Sequence, residues 1–443
     1  MITTFGIIWI PICIIVFFKP TNELVRLLFI SSIFQSASVL NIGTKGVTLV
    51  TIVEILLVIK YAMIRKKIKK DYKTKKETNI EYLFILFFLI VIINSLLASI
   101  LFENLNYEIV PKYGEPVKIE YGSSMIIKFF NLALHILTCI ILFKIRNILE
   151  PKEIFKSAMI MIMIAIIFGM WEYLWKITNM RIYFPSNLIY NNTNYFQGFD
   201  QGYIEGRNNI TNVRMNSTFL EPSYFGGFIS PATMGLIATQ KNIKNKENRK
   251  KILAITLMGL ISIVLNMSGT GIICFVILVL IYFFTNKNIQ KKNLLRVSML
   301  IFIALIVLEK TGLLNRIVDM VVSKSNSISG TGRKEMNNIG WQLIKKTWGL
   351  GAGINSYRCS SFIIQLLATL GVVPTFILIN ITVKLLKAMK KKDRTIEKKW
   401  GFYFLLGVII SMVIAIPDLN YTILWIAIFY TLLMTQKGEK ENE

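Results

Sequence analysis

The stretch 82-YLFILFFLIVIINSLLASI-100 runs for nineteen residues without a charge. As a helix it would reach about 28 Å, which matches a bilayer hydrocarbon core of roughly 30 Å. A second run, 270-TGIICFVILVLIYFFT-285, has the same character. Hydrophobic residues make up 54% of the 443-residue chain and charged residues only 17%. A soluble domain of this size carries more charge and less Ile, Leu and Phe. A β-barrel would show short alternating segments instead. The expected fold class is therefore all-α, a polytopic integral membrane helical bundle forming one membrane domain over 1–443.

The other apolar runs extend the pattern. Spans are expected at 4–18, 24–40, 46–64, 81–101, 125–145, 155–177, 222–240, 252–267, 270–286, 294–310, 360–385, 400–416 and 420–435. That gives about twelve or thirteen. The weakest is 24-LVRLLFISSIFQSASVL-40, whose Arg26, Gln35 and four serines suit a tilted, re-entrant or buried segment. The chain starts on an apolar run without a basic leader or a small-residue cleavage site, so this run reads as a first membrane helix.

Lys and Arg outnumber Asp and Glu by 51 to 25. The excess gathers in 65-RKKIKKDYKTKK-76, 241-KNIKNKENRKK-251, 287-KNIQKK-292 and 387-KAMKKKDRTIEKK-399. Basic loops of this kind stay cytoplasmic. No folded domain surrounds them to present a groove, so nucleic acid is not an expected partner. Placing the tracts inside turns three segments outward: 102–124, an external loop at 178–221, and another at 311–359. The loop at 178–221 contains 190-YNNTNYFQGFDQGY-203. Its amide and aromatic side chains would suit a glycan, as they would a plain polar loop. The loop at 311–359 breaks the charge trend. It carries Arg316, Lys324, Arg333, Lys334, Lys345, Lys346 and Arg358 against Asp319 and Glu335. Within it, 333-RKEMNNIGWQLIKKTW-348 has helical spacing, with Met336, Ile339, Leu343, Ile344 and Trp348 on one face.

Metal and thiol chemistry have no foothold. Cys13, Cys139, Cys274 and Cys359 are scattered, with no CxxC spacing. The single histidine, His135, lies inside an apolar run, where it is either a packing residue or a proton relay. No metal site and no cofactor are expected. A nucleotide donor is excluded on the same reasoning, because no Gly-rich phosphate loop or βαβ pattern is present.

The candidate chemistry lies in 214-RMNSTFLEPSYFGGF-228. The residue before a proline is pushed out of the α region, and proline favours the first helical position. A helix should therefore start at Pro222, with the Glu221 carboxylate just outside it beside Ser223 and Tyr224. Glu221 at a helix start paired with Arg214 would also be an ordinary structural arrangement. Arg181, Arg207, Arg214, Arg333 and Arg358 all lie outside the spans. A guanidinium keeps its charge and grips a phosphate through two parallel hydrogen bonds, so these five suit a diphosphate. A carboxylate near them is a candidate general base for a sugar hydroxyl.

The run R-x-x-S-T-F-x-E-P-S-Y-F at 214–225 resembles the bacterial O-antigen and capsule repeat-unit polymerases of the Wzy type. So does 330-GTGRKEMNNIGWQLIKKTWGLGAGINSY-357 followed by 362-FIIQLLATLGVVPTFILI-379, which looks like the second large external loop of the wider O-antigen polymerase and ligase superfamily. The resemblance implies repeat units carried on undecaprenyl diphosphate. It implies metal-independent glycosyl transfer at the outer face of the bacterial cytoplasmic membrane, with a chain-length regulator and a flippase as partners. It carries catalytic roles onto Glu221, Arg214 and Arg333; Arg181, Arg207, Arg358, Tyr224 and Ser223 are the candidates for glycan or diphosphate contact by charge and position. The ligase branch has a histidine near the position of Arg358; here 357-YRCSS-361 has none, which favours polymerase over ligase. A flippase or transporter of the same lipid-linked glycan is the competing class. It should bury charge at mid-membrane, where Glu54, Lys128 and Glu172 are the nearest candidates.

Overall fold

The computed structural model describes residues 1–71, 80–102, 119, 121, 123–194, 213–285, 328–390 and 395–435. Among these residues the chain is all-α, with one short hairpin. Helices α1 (Thr4–Phe18) and α2 (Thr21–Ser31) lead into the hairpin, β1 (Leu40–Ile42) against β2 (Lys45–Val47). Then follow α3 (Leu49–Asp71), α4 (Ile80–Leu101), α5 (Ser123–Ile145), α6 (Pro151–Ile177) and the single turn α7 (Ser186–Ile189). The second half holds α8 (Pro222–Thr239), α9 (Lys246–Asn266), α10 (Gly269–Thr285) and α11 (Ile328–Lys346). It ends with α12 (Phe362–Thr369), α13 (Val372–Met389), α14 (Ile396–Ala415) and α15 (Thr422–Leu433).

Five of these are long and apolar enough to cross a membrane: α4, α5 with the turn that follows it, α6, α13 and α14. Helices α1, α10 and α15 are apolar but shorter. The outer surface argues the same way. Ile7, Ile14, Ile15 and Phe18 on α1 are exposed, as are Leu89, Ile93 and Ile100 on α4 and Phe376 on α13. Exposed apolar faces of this extent need a hydrocarbon solvent or a partner. The expected span at 294–310 and most of the segment 102–124 lie outside the described residues.

Helix α8 is the axis of the bundle. From Tyr224 to Leu236 every residue is buried, with α9, α10 and α14 around it. At its crossing with α10 a Cβ on Gly226 would come within 3.1 Å of the Gly271 Cα, and one on Gly271 within 2.9 Å of the Gly226 Cα. Backbones this close admit only glycine, as in small-residue helix packing in membranes.

Two expected spans are corrected. The run 24–40 is not one helix: α2 stops at Ser31, and 32–39 is buried, non-helical chain. The Ser31 and Ser32 hydroxyls donate to the carbonyls of Leu28 and Phe29, a local bond that competes with the helix. The run 360–385 is also two helices, α12 and α13, because Gly371 adopts φ +94° between them. Broken backbone at this depth must find internal partners. The Ser36 N–H donates to Thr218 O, the Thr218 hydroxyl to Ile33 O, the Thr422 hydroxyl to Ser32 O and the Asn192 N–H to Ser36 O. The chain at 32–39 is thus held by 189–194, by 215–220 and by the start of α15.

A buried ionisable pair cross-links α3 and α5. Glu54 on α3 meets His135 Nδ1 on α5 at 2.7 Å, with both side chains almost fully enclosed. The imidazole stacks on Trp425 of α15 at 5.0 Å between centroids. The other Glu54 oxygen is buried without a hydrogen-bond partner in the described structure. Removing one member of such a pair strands the other charge, whereas replacing both with apolar groups does not. We therefore expect Glu54→Ala to cost about 3–5 kcal/mol. Glu54→Leu combined with His135→Leu should cost less than either single change. Thermal unfolding of the detergent-solubilised protein measures the order.

Candidate functional site

The basic tracts lie at the C-terminal end of α3, between α8 and α9, and after α10 and α13. The opposite end of the bundle carries the start of α8, the turn after α9, the break before α13 and the loop between α14 and α15. Most of the candidate residues gather at this end.

The approach to α8 is set by one carboxylate. Glu172 near the end of α6 is fully buried. It accepts from the Tyr190 hydroxyl at 2.8 Å and from the N–H groups of Asn216 and Ser217 at 2.7 Å each. Lys176, one turn on, sits 2.6 Å from it and donates to the Arg214 carbonyl at 2.8 Å. Two backbone donors on one oxygen hold the chain in a tight turn, and Ser217 takes φ 57° to allow it. Asn266 adds a clamp from α9, donating to the carbonyls of Met215 at 2.6 Å and Pro222 at 2.9 Å.

The chain then enters α8 in the way its Glu-Pro pair dictates. Glu221 is extended, at φ −145° and ψ 158°, and Pro222 opens the helix. The Glu221 side chain is exposed and accepts from the Ser223 hydroxyl at 3.2 Å. Arg214 is half-buried, and burial lowers its pKa from the ordinary arginine value. Among the described residues it forms no ion pair with Glu221, so the expected structural pairing of the two is absent.

Beside Tyr224 lies a cleft of about 180 Å³, walled by five elements. It is lined by Lys128 from α5, Tyr224 from α8, the segment 354–358, Gln365 and Thr369 from α12, and 417–420 between α14 and α15. Lys128 Nζ lies 3.7 Å from the Asp418 carboxylate, with both side chains about a quarter exposed. Burial works against ionisation of Asp418, but Lys128, the Asn420 N–H and Arg358 outweigh it and hold the carboxyl below its ordinary range. The cleft therefore brings two basic side chains to one carboxylate. The Tyr421 hydroxyl donates to the Tyr224 carbonyl at 2.8 Å, which ties the 417–420 loop to the first turn of α8.

The wall carrying Arg358 is a folded turn. In 349-GLGAG-353 the N–H groups of Ala352 and Gly353 donate to the carbonyls of Ala368 and Thr369 at the end of α12. The Tyr121 hydroxyl donates to Ala352 O at 2.9 Å, and the Ser95 hydroxyl accepts from Ile354 N–H at 3.0 Å. Asn337 on α11 accepts from the N–H groups of Ser360 and Ser361. Helix α11 shows the expected amphipathic face only in part. Ile339 and Leu343 are buried against Ala352, Cys359 and Ala368, while Met336 and Trp348 are exposed.

Of the sequence-derived candidates, the cleft gathers Arg358 and Tyr224. Glu221 and Ser223 stand at the adjoining start of α8. Arg214 lies on the approach loop, Arg333 on α11, and Arg181 is exposed just past α6; none of these three lines the cleft. Arg207 and most of 190–203 lie outside the described residues. Sequence reasoning missed Lys128 and Asp418 as site residues. Their signals were a lone cation inside 125–143 and a lone carboxylate after Pro417 between two apolar runs.

Gly371 makes the geometry of this wall testable. A Cβ there would lie 2.2 Å from the Leu350 carbonyl oxygen, and φ is +94°. Gly371→Ala is expected to destabilise the protein by about 1–3 kcal/mol. It should also detach the 349–353 turn from α12, read as faster amide hydrogen exchange at 350–354 with the α8 peptides unchanged.

No family model and no curated protein matches the chain.

Proposed function

We propose that this chain polymerises lipid-linked oligosaccharide repeat units into a surface polysaccharide, O-antigen or capsule, at the outer face of the bacterial cytoplasmic membrane. It does so as a multi-pass protein of twelve or thirteen spans with two large external loops. The observation that carries this reading is the cleft at the end opposite the basic tracts, where Lys128 and Arg358 face one space beside the start of α8. Two cations at the lip of a helical bundle suit the diphosphate of a polyprenyl carrier, whose tail stays in the bilayer.

The chemistry is a displacement at the anomeric carbon of the donor chain. The acceptor sugar hydroxyl forms the new C–O bond, the bond to the lipid diphosphate breaks, and the electron pair leaves on the diphosphate. Cations held in place before the reaction stabilise that developing charge. Glu221, exposed three residues before Tyr224, takes the hydroxyl proton. Arg214 and Arg333 serve on the glycan side, with Arg181 and Arg207 as further contacts. The step needs neither a metal nor a nucleotide.

A second reading is transport of the same glycan across the membrane. The buried Glu54–His135 pair and the interrupted chain at 32–39 favour it, since transporters break helices and bury charge at mid-membrane.

Chromosomal Arg358→Ala, Lys128→Ala and Glu221→Gln variants test the polymerase. Each should lower polymerisation by roughly 10²–10³, the scale seen when one preorganised charge-stabilising group is lost. Gel analysis of the surface glycan should then show single repeats in place of long chains. Long chains at normal abundance in all three, with the protein present in the membrane, would sink the assignment. Loss of all surface glycan, single repeats included, points to transport.

A further inference from the structure

Asp418 is the one carboxylate among the residues that line the cleft. It sits opposite both cations there, and Lys128 is its ion-pair partner. The pair is loose. At 3.7 Å the Lys128 nitrogen is beyond the 2.7–2.9 Å or so of a charge-assisted hydrogen bond. Asp418 instead spends a hydrogen bond on its own loop, accepting from the Asn420 N–H at 2.9 Å. The Coulombic attraction is thus present, but the short contact with Lys128 is unmade. Arg358 is exposed on the opposite wall and takes no carboxylate partner among the described residues. Both cations can therefore turn to a second anion while giving up only a long, weak contact with the first.

We infer that Asp418 is a resident counter-ion, which faces Lys128 and Arg358 across the cleft and is exchanged for the phosphate oxygens of the ligand. This rests on the reading of the cleft as a diphosphate site. A half-buried cation without an anion is costly, so the carboxylate stabilises Lys128 before a ligand arrives. The same carboxylate competes with the ligand, and sets its affinity low enough for product to leave. The loop holds the carboxylate in place. The Asn420 N–H holds its carboxylate, and the next residue, Tyr421, reaches the first turn of α8.

Isothermal titration of the full chain in detergent with inorganic pyrophosphate tests the exchange. Asp418→Asn should tighten pyrophosphate about two- to fivefold, the worth of one partly exposed ion pair. Lys128→Ala should weaken it. In the double variant the gain from Asp418→Asn should shrink, because half of the competition has gone. Asp418→Ser provides the same arm should the amide fail to fold. Farnesyl diphosphate in parallel separates the sources of the ligand: tighter binding than pyrophosphate assigns the site to a lipid head group, equal binding to a soluble diphosphate. Asp418→Asn binding pyrophosphate no more tightly than the unchanged protein overturns the counter-ion role, as does absence of binding in every variant. The two readings fail separately. The predicted order in a protein whose deletion leaves chain lengths unchanged keeps the counter-ion and discards the polymerase. Loss of long chains in Arg358→Ala without tightening in Asp418→Asn does the reverse.

Discussion

Hydrocarbon offers no hydrogen bonds, so every peptide group inside the bundle has to find its partner within the protein. Helices meet this demand by themselves. Non-helical chain cannot, and this protein keeps several such segments at depth. The stretch 32–39 is tied to 189–194, to Thr218 and to Thr422. The turn at 215–218 is tied to Glu172 and Asn266. The two segments also bond to each other, through Ser36 N–H to Thr218 O and the Thr218 hydroxyl to Ile33 O. The apolar lining of α8, and the glycine contact between Gly226 and Gly271, let the surrounding helices close on α8.

Electrostatics at the two levels of the bundle follow different rules. Deep pairs such as Glu54–His135 and Glu172–Lys176 are short and enclosed. They cost much to desolvate and hold only because their geometry is good. Near the rim, Lys128 and Asp418 are longer-paired and partly wet. A contact of that kind is weak enough to be remade. Of the first set, Glu54–His135 joins α3 to α5 and Glu172–Lys176 holds the chain at 214–217; the second leaves charge available to a ligand. The link from the rim to α8 is a single hydrogen bond, from the Tyr421 hydroxyl to the Tyr224 carbonyl.

The sequence and the structure part company where backbone freedom is concerned. The helix start at Pro222 was legible, because proline and the residue before it allow few conformations. The long runs of α4, α5 and α6 were legible through length and hydropathy. The run at 360–385 read as one span, since hydropathy does not register a positive φ at Gly371. The run at 24–40 read as a weak span for a sound reason, its serines, but the hydrogen bonds that hold it open come from residues up to 390 positions away. The candidate site divides in the same way. Arg358 and Tyr224 were marked by their motifs. Lys128 and Asp418 were not, because each is a lone charge in an apolar run, and only their meeting gives them meaning.

By itself the sequence determined that this is a bundle of helices, several of them long and apolar enough to cross a membrane, which end carries the basic tracts, and that a carboxylate stands outside the first turn of α8. These are local properties, set by the hydropathy of a run, the sign of a loop or the dihedral limits of a proline. The tertiary structure alone decided which of the outer cations share a cleft, that Glu172 rather than Arg214 organises the approach to α8, and that Asp418 faces Lys128. Those facts depend on distances between segments far apart in the chain. Such distances follow from how buried polar groups find partners across the bundle, which no local pattern records.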